Sequence, residues 1–246
     1  MNGVGIVAAL AAESRPLGAA SRSPGGARSL ADGTLVVVSG VGIAAAREGA
    51  RRLLGAGARA LLSWGVAGGL DPALAAGTVV LPREVVSPEG RSFTTEPGWR
   101  EALARVLGDA HAVSSGRLLT RYEALGSIAA KAQAFRETAA VAVDMESSAV
   151  AEMAAAARVP FIAVRALVDT AHDVVPQAAI AAAATGEGAL RIGALLLAVA
   201  RRPSELPPLI RLAGRYRSAL RSLSAVARSG ALAAQPLQPA ARGVLS

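Results

Sequence analysis

The sequence predicts an α/β fold in which a central mixed, largely parallel sheet is flanked by helices, giving three layers. Three observations carry this expectation. Short runs that are apolar at nearly every position recur along the chain, as in Thr34-Leu-Val-Val-Val-Ser39, and a strand buried on both faces reads this way. Segments with apolar residues at every third or fourth position alternate with these runs, as in a chain that winds strand, helix, strand. Glycines or acids follow several of the runs, at the strand carboxyl ends where ligands of such sheets bind.

The elements follow in order. Val4–Leu10 is a first strand leading into a loop that carries Glu13. Thr34–Ser39 is followed by Gly40-Val-Gly42 and then by Ile43–Leu54 at helical spacing, which is strand, tight turn and helix. Ala58–Trp64 is another strand, closed by Gly65-Val-Ala-Gly-Gly69, and Gly77–Leu81 is one more. Val141–Val143 leads through Asp144-Met-Glu146 into a helix over Ser147–Ala157, and Pro160–Val168 is a strand ending at Asp169. Residues 1–202 form the main domain. Pro203, Pro207 and Pro208 interrupt the chain. Leu209, Leu212, Tyr216, Leu220, Leu223 and Ala227 then make an apolar stripe among arginines. Residues 203–229 are thus a basic amphipathic segment with a helix over Leu209–Arg228, and 230–246, rich in Ala and Pro, a disordered tail.

Composition excludes several classes. With 52% hydrophobic and 18% charged residues, the 246-residue chain has ample material for a core and is not disordered. The absence of cysteine removes disulfides, thiolate metal sites and cysteine nucleophiles, and two histidines, His111 and His172, argue against a histidine metal centre. The formal charge of +8 is unevenly placed: residues 1–200 carry a net +1 and residues 201–246 a net +7. No basic patch is interleaved with aromatics, so nucleic acid is not an expected partner. The apolar runs at Val4–Ala12 and Ile192–Ala200 are too short to span a bilayer, and the expected location is the cytoplasm.

Each candidate motif has a plain structural reading beside a chemical one. Gly40 and Gly42 could bring backbone amides to an anion at a helix N-terminus, or simply make a tight turn. Three glycines within Gly65–Gly69 imply backbone passing close to something, or again a turn. An acid at Asp144 or Glu146 could complement a helix dipole, which accounts for one carboxylate but less well for two. Glu146 could instead accept both hydroxyls of a sugar diol, since an ionised carboxylate is a pure acceptor with two oxygens. Asp169 could cap a helix, and Glu13 alone reads as a solvated loop charge.

Together these residues form an ordered set. Gly5-Ile-Val-Ala-Ala-Leu-Ala-Ala-Glu13, Ser39-Gly-Val-Gly42, Gly65-Val-Ala-Gly-Gly69, Val143-Asp-Met-Glu146 and Val164-Arg-Ala-Leu-Val-Asp169 resemble the purine nucleoside phosphorylase and methylthioadenosine/adenosylhomocysteine nucleosidase superfamily over about residues 3–200. Leu70-Asp-Pro-Ala-Leu74 and the run from Ala200 to Leu212 look like its hopanoid-associated phosphorylase branch, which implies release of adenine from adenosylhopane in bacteriohopanepolyol biosynthesis. The resemblance implies a nucleoside phosphorylase-like catalytic domain in which Asp169 protonates the purine at N7. It implies that Glu146 binds the ribose hydroxyls, that Met145 packs on the sugar, and that Glu13 orients the attacking water. Gly65, Val66, Ala67 and Gly68 would line the substrate, with Leu119 and Thr120 near the base. No cofactor is expected, with inorganic phosphate the one candidate co-substrate.

The departures concern the nucleophile. Ser63 and Val66 stand where the phosphorylases place an arginine and a hydroxyl on phosphate, which favours water; Gly40, Gly42, Arg15 and Arg47 remain candidates for a phosphate site. Val168 stands where the nucleosidases have a serine before the acid. The leading expectation is an N-glycosidic cleavage enzyme acting on a small or lipid-linked purine nucleoside. The alternatives are a methylthioadenosine or adenosylhomocysteine nucleosidase and a non-catalytic nucleoside-binding protein. A homo-oligomer is expected, and the C-terminal helix either touches the inner membrane peripherally or packs on the domain.

Overall fold

A computed structural model describes residues 3–19, 26–108, 111–183, 206–230 and 232. The order is β1 (Val4–Ala8), α1 (Ala11–Ser14), a 3-10 turn (Arg15–Leu17), β2 (Arg28–Ser29), β3 (Leu35–Val38), α2 (Ile43–Gly55) and β4 (Ala60–Gly69). Next come β5 (Val79–Val80), β6 (Glu84–Val86), β7 (Ser92–Thr94), α3 (Pro97–Leu107), β8 (Val113–Ser114), β9 (Arg117–Thr120) and α4 (Ile128–Thr138). The chain continues through β10 (Ala140–Asp144), α5 (Ser147–Ala157), β11 (Phe161–Leu167), α6 (Gln177–Ala183) and a helix, α7, over Leu206–Arg228. The apolar run at Ile192–Ala200 and most of the tail expected to be disordered lie outside the described residues.

The 11 strands among the described residues form one mixed sheet. β1 runs parallel to both β3 and β4, and β11 runs parallel to β4 from Phe161 opposite Leu61 to Leu167 opposite Ala67. β10 meets the far end of β4 in antiparallel register, Val143 opposite Gly68, and lies parallel to β9. Side chains alternate between the two faces of the sheet, as a period of two requires. Ile6, Leu62, Trp64, Ile162 and Val164 face α3 and α7, whereas Val7, Leu61, Phe161 and Ala163 face α2 and α5. Small residues let the helices approach closely. A Cβ on Gly49 of α2 would stand 3.0 Å from that of Ser39.

Two sequence expectations need correction. Gly65–Gly69 is not a turn that closes a strand; it is the second half of β4, which runs unbroken for ten residues. Glu13 is not in a solvated loop but on the short α1, and is buried. The C-terminal helix packs on the domain over its second half: Ala219, Leu223 and Val226 are fully buried, and Ser222 Oγ donates to the Gly77 carbonyl at 2.7 Å. No described helix is long and apolar enough to cross a membrane.

Candidate active site

The carboxyl ends of β1, β4 and β11, together with that of the oppositely running β10, carry Glu13, Gly65–Gly69, Glu146 and Asp169, with a buried arginine beside Glu13 and Glu146. Arg165 sits on β11 in the middle of an otherwise apolar strand. Burial of its guanidinium is tolerable because Nε and one terminal nitrogen are hydrogen-bonded and carboxylates lie beside it. Nε reaches Asp144 Oδ2 at 2.8 Å, a terminal nitrogen reaches Ser63 Oγ at 2.8 Å and Ser147 Oγ at 3.1 Å, and Glu146 lies 3.9 Å away.

Glu13 is fixed from both sides. Oε2 accepts from Leu10 N at 3.0 Å and Oε1 from Val66 N at 3.1 Å. Burial pushes its pKa up, while Arg165 and these N–H groups pull against it. This arrangement explains Gly65. A Cβ there would stand 2.7 Å from an Arg165 nitrogen and 2.9 Å from both Glu13 oxygens.

Glu146 occupies the N-cap of α5, yet it does not cap with its side chain. Asp144 does so instead, accepting from Ser147 N at 3.2 Å, so the helix-dipole reading suits Asp144 alone. Glu146 Oε1 accepts from Gly42 N at 2.9 Å. Burial, then the Asp144 charge, push its pKa up to about 7 against the pull of Arg165. The Gly42 amide, a candidate for phosphate, is therefore already held by a carboxylate. Arg47 is paired with Glu152 at 2.6 Å, and Arg15 is exposed and lines neither of the cavities described below.

Asp169 does not cap a helix. Its Oδ1 accepts from Gly69 N and from Lys131 Nζ, both at 2.9 Å. Gly69 must be glycine, because a Cβ there would meet the Asp169 carbonyl oxygen at 2.8 Å. Burial raises the Asp169 pKa, and Lys131 and Gly69 N–H oppose that shift.

A cavity of about 1010 Å³ opens from Met145 and Asp169 towards Tyr122–Ser127, Val174–Pro176 and the α7 residues Pro208, Arg211, Leu212 and Arg215. Arg215 pairs with Asp173, tying α7 to the loop after Asp169. A smaller cavity of about 420 Å³ lies beside Gly42, Arg47, Arg91 and Tyr122. Of the residues expected at the site, Met145 and Asp169 line the large cavity and Gly42 and Arg47 the small one, whereas Glu13, Gly65, Val66, Ala67, Gly68, Glu146, Leu119 and Thr120 line neither. Leu119 is buried among Leu70, Ala134 and Val143, and Thr120 donates to Asp144 at 2.8 Å. The wall expected from them is formed by the segment after them, beginning at Tyr122. Two residues of the site were not anticipated from sequence. Arg165 had a readable signal, as a lone charge in an all-apolar strand. Lys131 had none, since a lysine on a helix ordinarily faces water. Among the described residues, no group of three or more His, Asp or Glu could hold a metal ion.

Comparison with known proteins agrees with this fold. The sequence profile of the phosphorylase superfamily matches residues 4–201. No curated protein sequence matches. Among solved structures, the 5′-methylthioadenosine/S-adenosylhomocysteine nucleosidase of Neisseria meningitidis in complex with methylthio-immucillin-A superposes with a TM-score of 0.67 at 18% identity, covering 94% of this chain and 98% of that one. Futalosine hydrolase of Helicobacter pylori gives 0.63 at 16% identity, covering 92% and 97%. The H. pylori nucleosidase with butyl-thio-DADMe-Immucillin-A gives 0.63 at 17%, with the same coverage. The fold and the matching profile define an α/β enzyme of glycosidic bond cleavage. The chain belongs to the phosphorylase superfamily, and with it to the enzymes that cleave nucleosides between base and sugar.

Proposed function

We propose that the chain is a purine-releasing nucleosidase in which Asp169, Glu13 and Glu146 divide the work. The observation that carries this reading is three buried carboxylates at one end of the sheet, Glu13 and Glu146 beside Arg165 and Asp169 on the wall of the large cavity. Glu146 accepts the ribose hydroxyls, and Met145 lines the sugar side. The C1′–N9 bond breaks with its electron pair passing to the purine, which takes a proton at N7 from Asp169 and leaves neutral. Water adds to the oxocarbenium carbon and gives up its proton to Glu13. Solvent then restores both acids. This route needs no cofactor.

Hydrolysis is favoured over phosphorolysis because the Gly42 amide and Arg47, two groups suited to phosphate, already have carboxylate partners. For the substrate, we propose a nucleoside with a large 5′ substituent. The cavity lies at the upper end of the volumes found for drug-sized ligands. Adenosylhopane is the candidate that the sequence resemblance names. Such a lipid-linked substrate has to be met at a membrane, and the start of α7 suits that task, with Leu206 and Ile210 exposed beside Arg211 and Arg217.

One assay tests the core of this reading: purine release from adenosine, 5′-methylthioadenosine and adenosylhopane, with and without phosphate. Release without phosphate is expected, fastest on the largest substrate. Strict phosphate dependence would replace water with phosphate as the nucleophile, and no release from any nucleoside would sink the reading. Salt-sensitive co-sedimentation with anionic vesicles tests the membrane contact. Its loss in the double variant Leu206→Ser/Ile210→Ser is the expected result.

A further inference from the structure

Lys131 takes no part in the chemistry above, yet it is the least expected residue of the site. It lies on α4 and is fully buried, where a charged group is costly unless it is paired. Two acceptors meet it: Asp169 Oδ1 and the Thr170 carbonyl, each at 2.9 Å. We propose that Lys131 is the positioning residue of the general acid, holding Oδ1 so that the transferable proton rides on Oδ2, and balancing the carboxylate left once that proton has gone to the purine.

The geometry supports both halves of this role. Oδ1 already accepts from Lys131 and Gly69 N, whereas among the described residues Oδ2 accepts no hydrogen bond. Oδ2 is therefore the oxygen able to hold a proton and turn it towards a leaving base. In the transfer, the Oδ2–H bond breaks and its electron pair stays on Asp169. The proton joins N7 as the purine takes the C1′–N9 pair. The new anion is buried, and its counter-charge has to be in place already. The other charged or titratable groups on this side are Tyr122 and Glu123, His172 and Asp173 on the loop, and Arg211 and Arg215 on α7. Arg215 is paired with Asp173, so neither of these two charges replaces the one on Lys131. A buried carboxyl with no cation beside it would hold its proton too firmly to be an effective donor, and Lys131 opposes that effect.

The inference rests on the nucleosidase reading, and the experiment separates the two. Purine release from 5′-methylthioadenosine, or from whichever nucleoside the wild type turns over best, is followed against pH in Lys131→Met, Lys131→Gln, Lys131→Arg and Asp169→Asn, with a thermal melt of each. The neutral variants are expected to lose at least tenfold in kcat with KM within about threefold. Their alkaline limb, where Asp169 ionises, should move up by about one pH unit or more. Lys131→Arg should recover part of kcat and keep the limb in place. Wild-type kcat and an unmoved limb in a folded neutral variant would overturn the proposal while leaving the nucleosidase reading intact, provided Asp169→Asn is inactive. If neither neutral variant folds, a limb displaced by a full unit in Lys131→Arg, despite its retained charge, would overturn it. Full activity in Asp169→Asn would instead remove the reading on which the proposal stands.

Discussion

Glu146 shows how a single residue ties pH to function. Its carboxyl titrates near 7 in the folded chain and near 4.5 when unfolded, so between these values the folded state binds more protons. Stability from this group is therefore full below about pH 4.5 and is lost as pH rises through 7. Glu146→Gln should raise the melting temperature at pH 8 and leave it nearly unchanged at pH 4, as scanning calorimetry would reveal. Diol binding needs the opposite, ionised form, so wild-type affinity for a nucleoside inhibitor should weaken towards tenfold per unit below pH 7. An affinity flat from pH 5 to 8 would separate Glu146 from the sugar. Asp169→Asn should lower turnover by about two to four orders of magnitude, the usual scale for general acid catalysis, with the fold retained. At this scale the sequence was informative wherever an acid follows an apolar run, as Glu13, Glu146 and Asp169 do. It was silent about Lys131, because helical position says nothing about which face meets a neighbouring loop.

Element by element, β4 carries the greatest constraint. Its glycines read as a turn in sequence because a residue without a side chain gives no periodic signal. In the structure they are extended, and they are glycine because Arg165, Glu13 and Asp169 lie against the strand. Gly65→Ala has to displace the Glu13 carboxylate from Val66 N–H, so turnover should fall about a hundredfold, with a smaller effect on stability. A variant melting normally and turning over normally would show that the contact can relax. On α7, the apolar stripe was legible from spacing, but whether it met protein or membrane was not, because both partners reward the same pattern. Leu223 lies in the core, and Leu223→Ala should cost about 2–5 kcal/mol in urea unfolding, whereas Arg217→Ala, on the exposed side, should cost almost nothing.

The whole molecule divides into a sheet that carries the buried acids and a rim of loops and helix that surrounds the large cavity. The three-layer arrangement was readable because strands covered on both faces leave long apolar runs, while the rim was not, since segments such as Tyr122–Ser127 and Val174–Pro176 carry no period at all. Val66 N–H holds Glu13 and Gly69 N–H holds Asp169, and both amides belong to one uninterrupted strand. Three residues of extended chain, roughly 10 Å, therefore separate the amide that holds Glu13 from the amide that holds Asp169, the two acids proposed to serve the incoming water and the departing base. That strand acts as a fixed ruler: no movement of the mouth can lengthen or shorten it. The rim can then be treated as an exchangeable cassette, and grafting the mouth of a relative onto this sheet should change which nucleoside is accepted while leaving the spacing of the two reacting sides as it was.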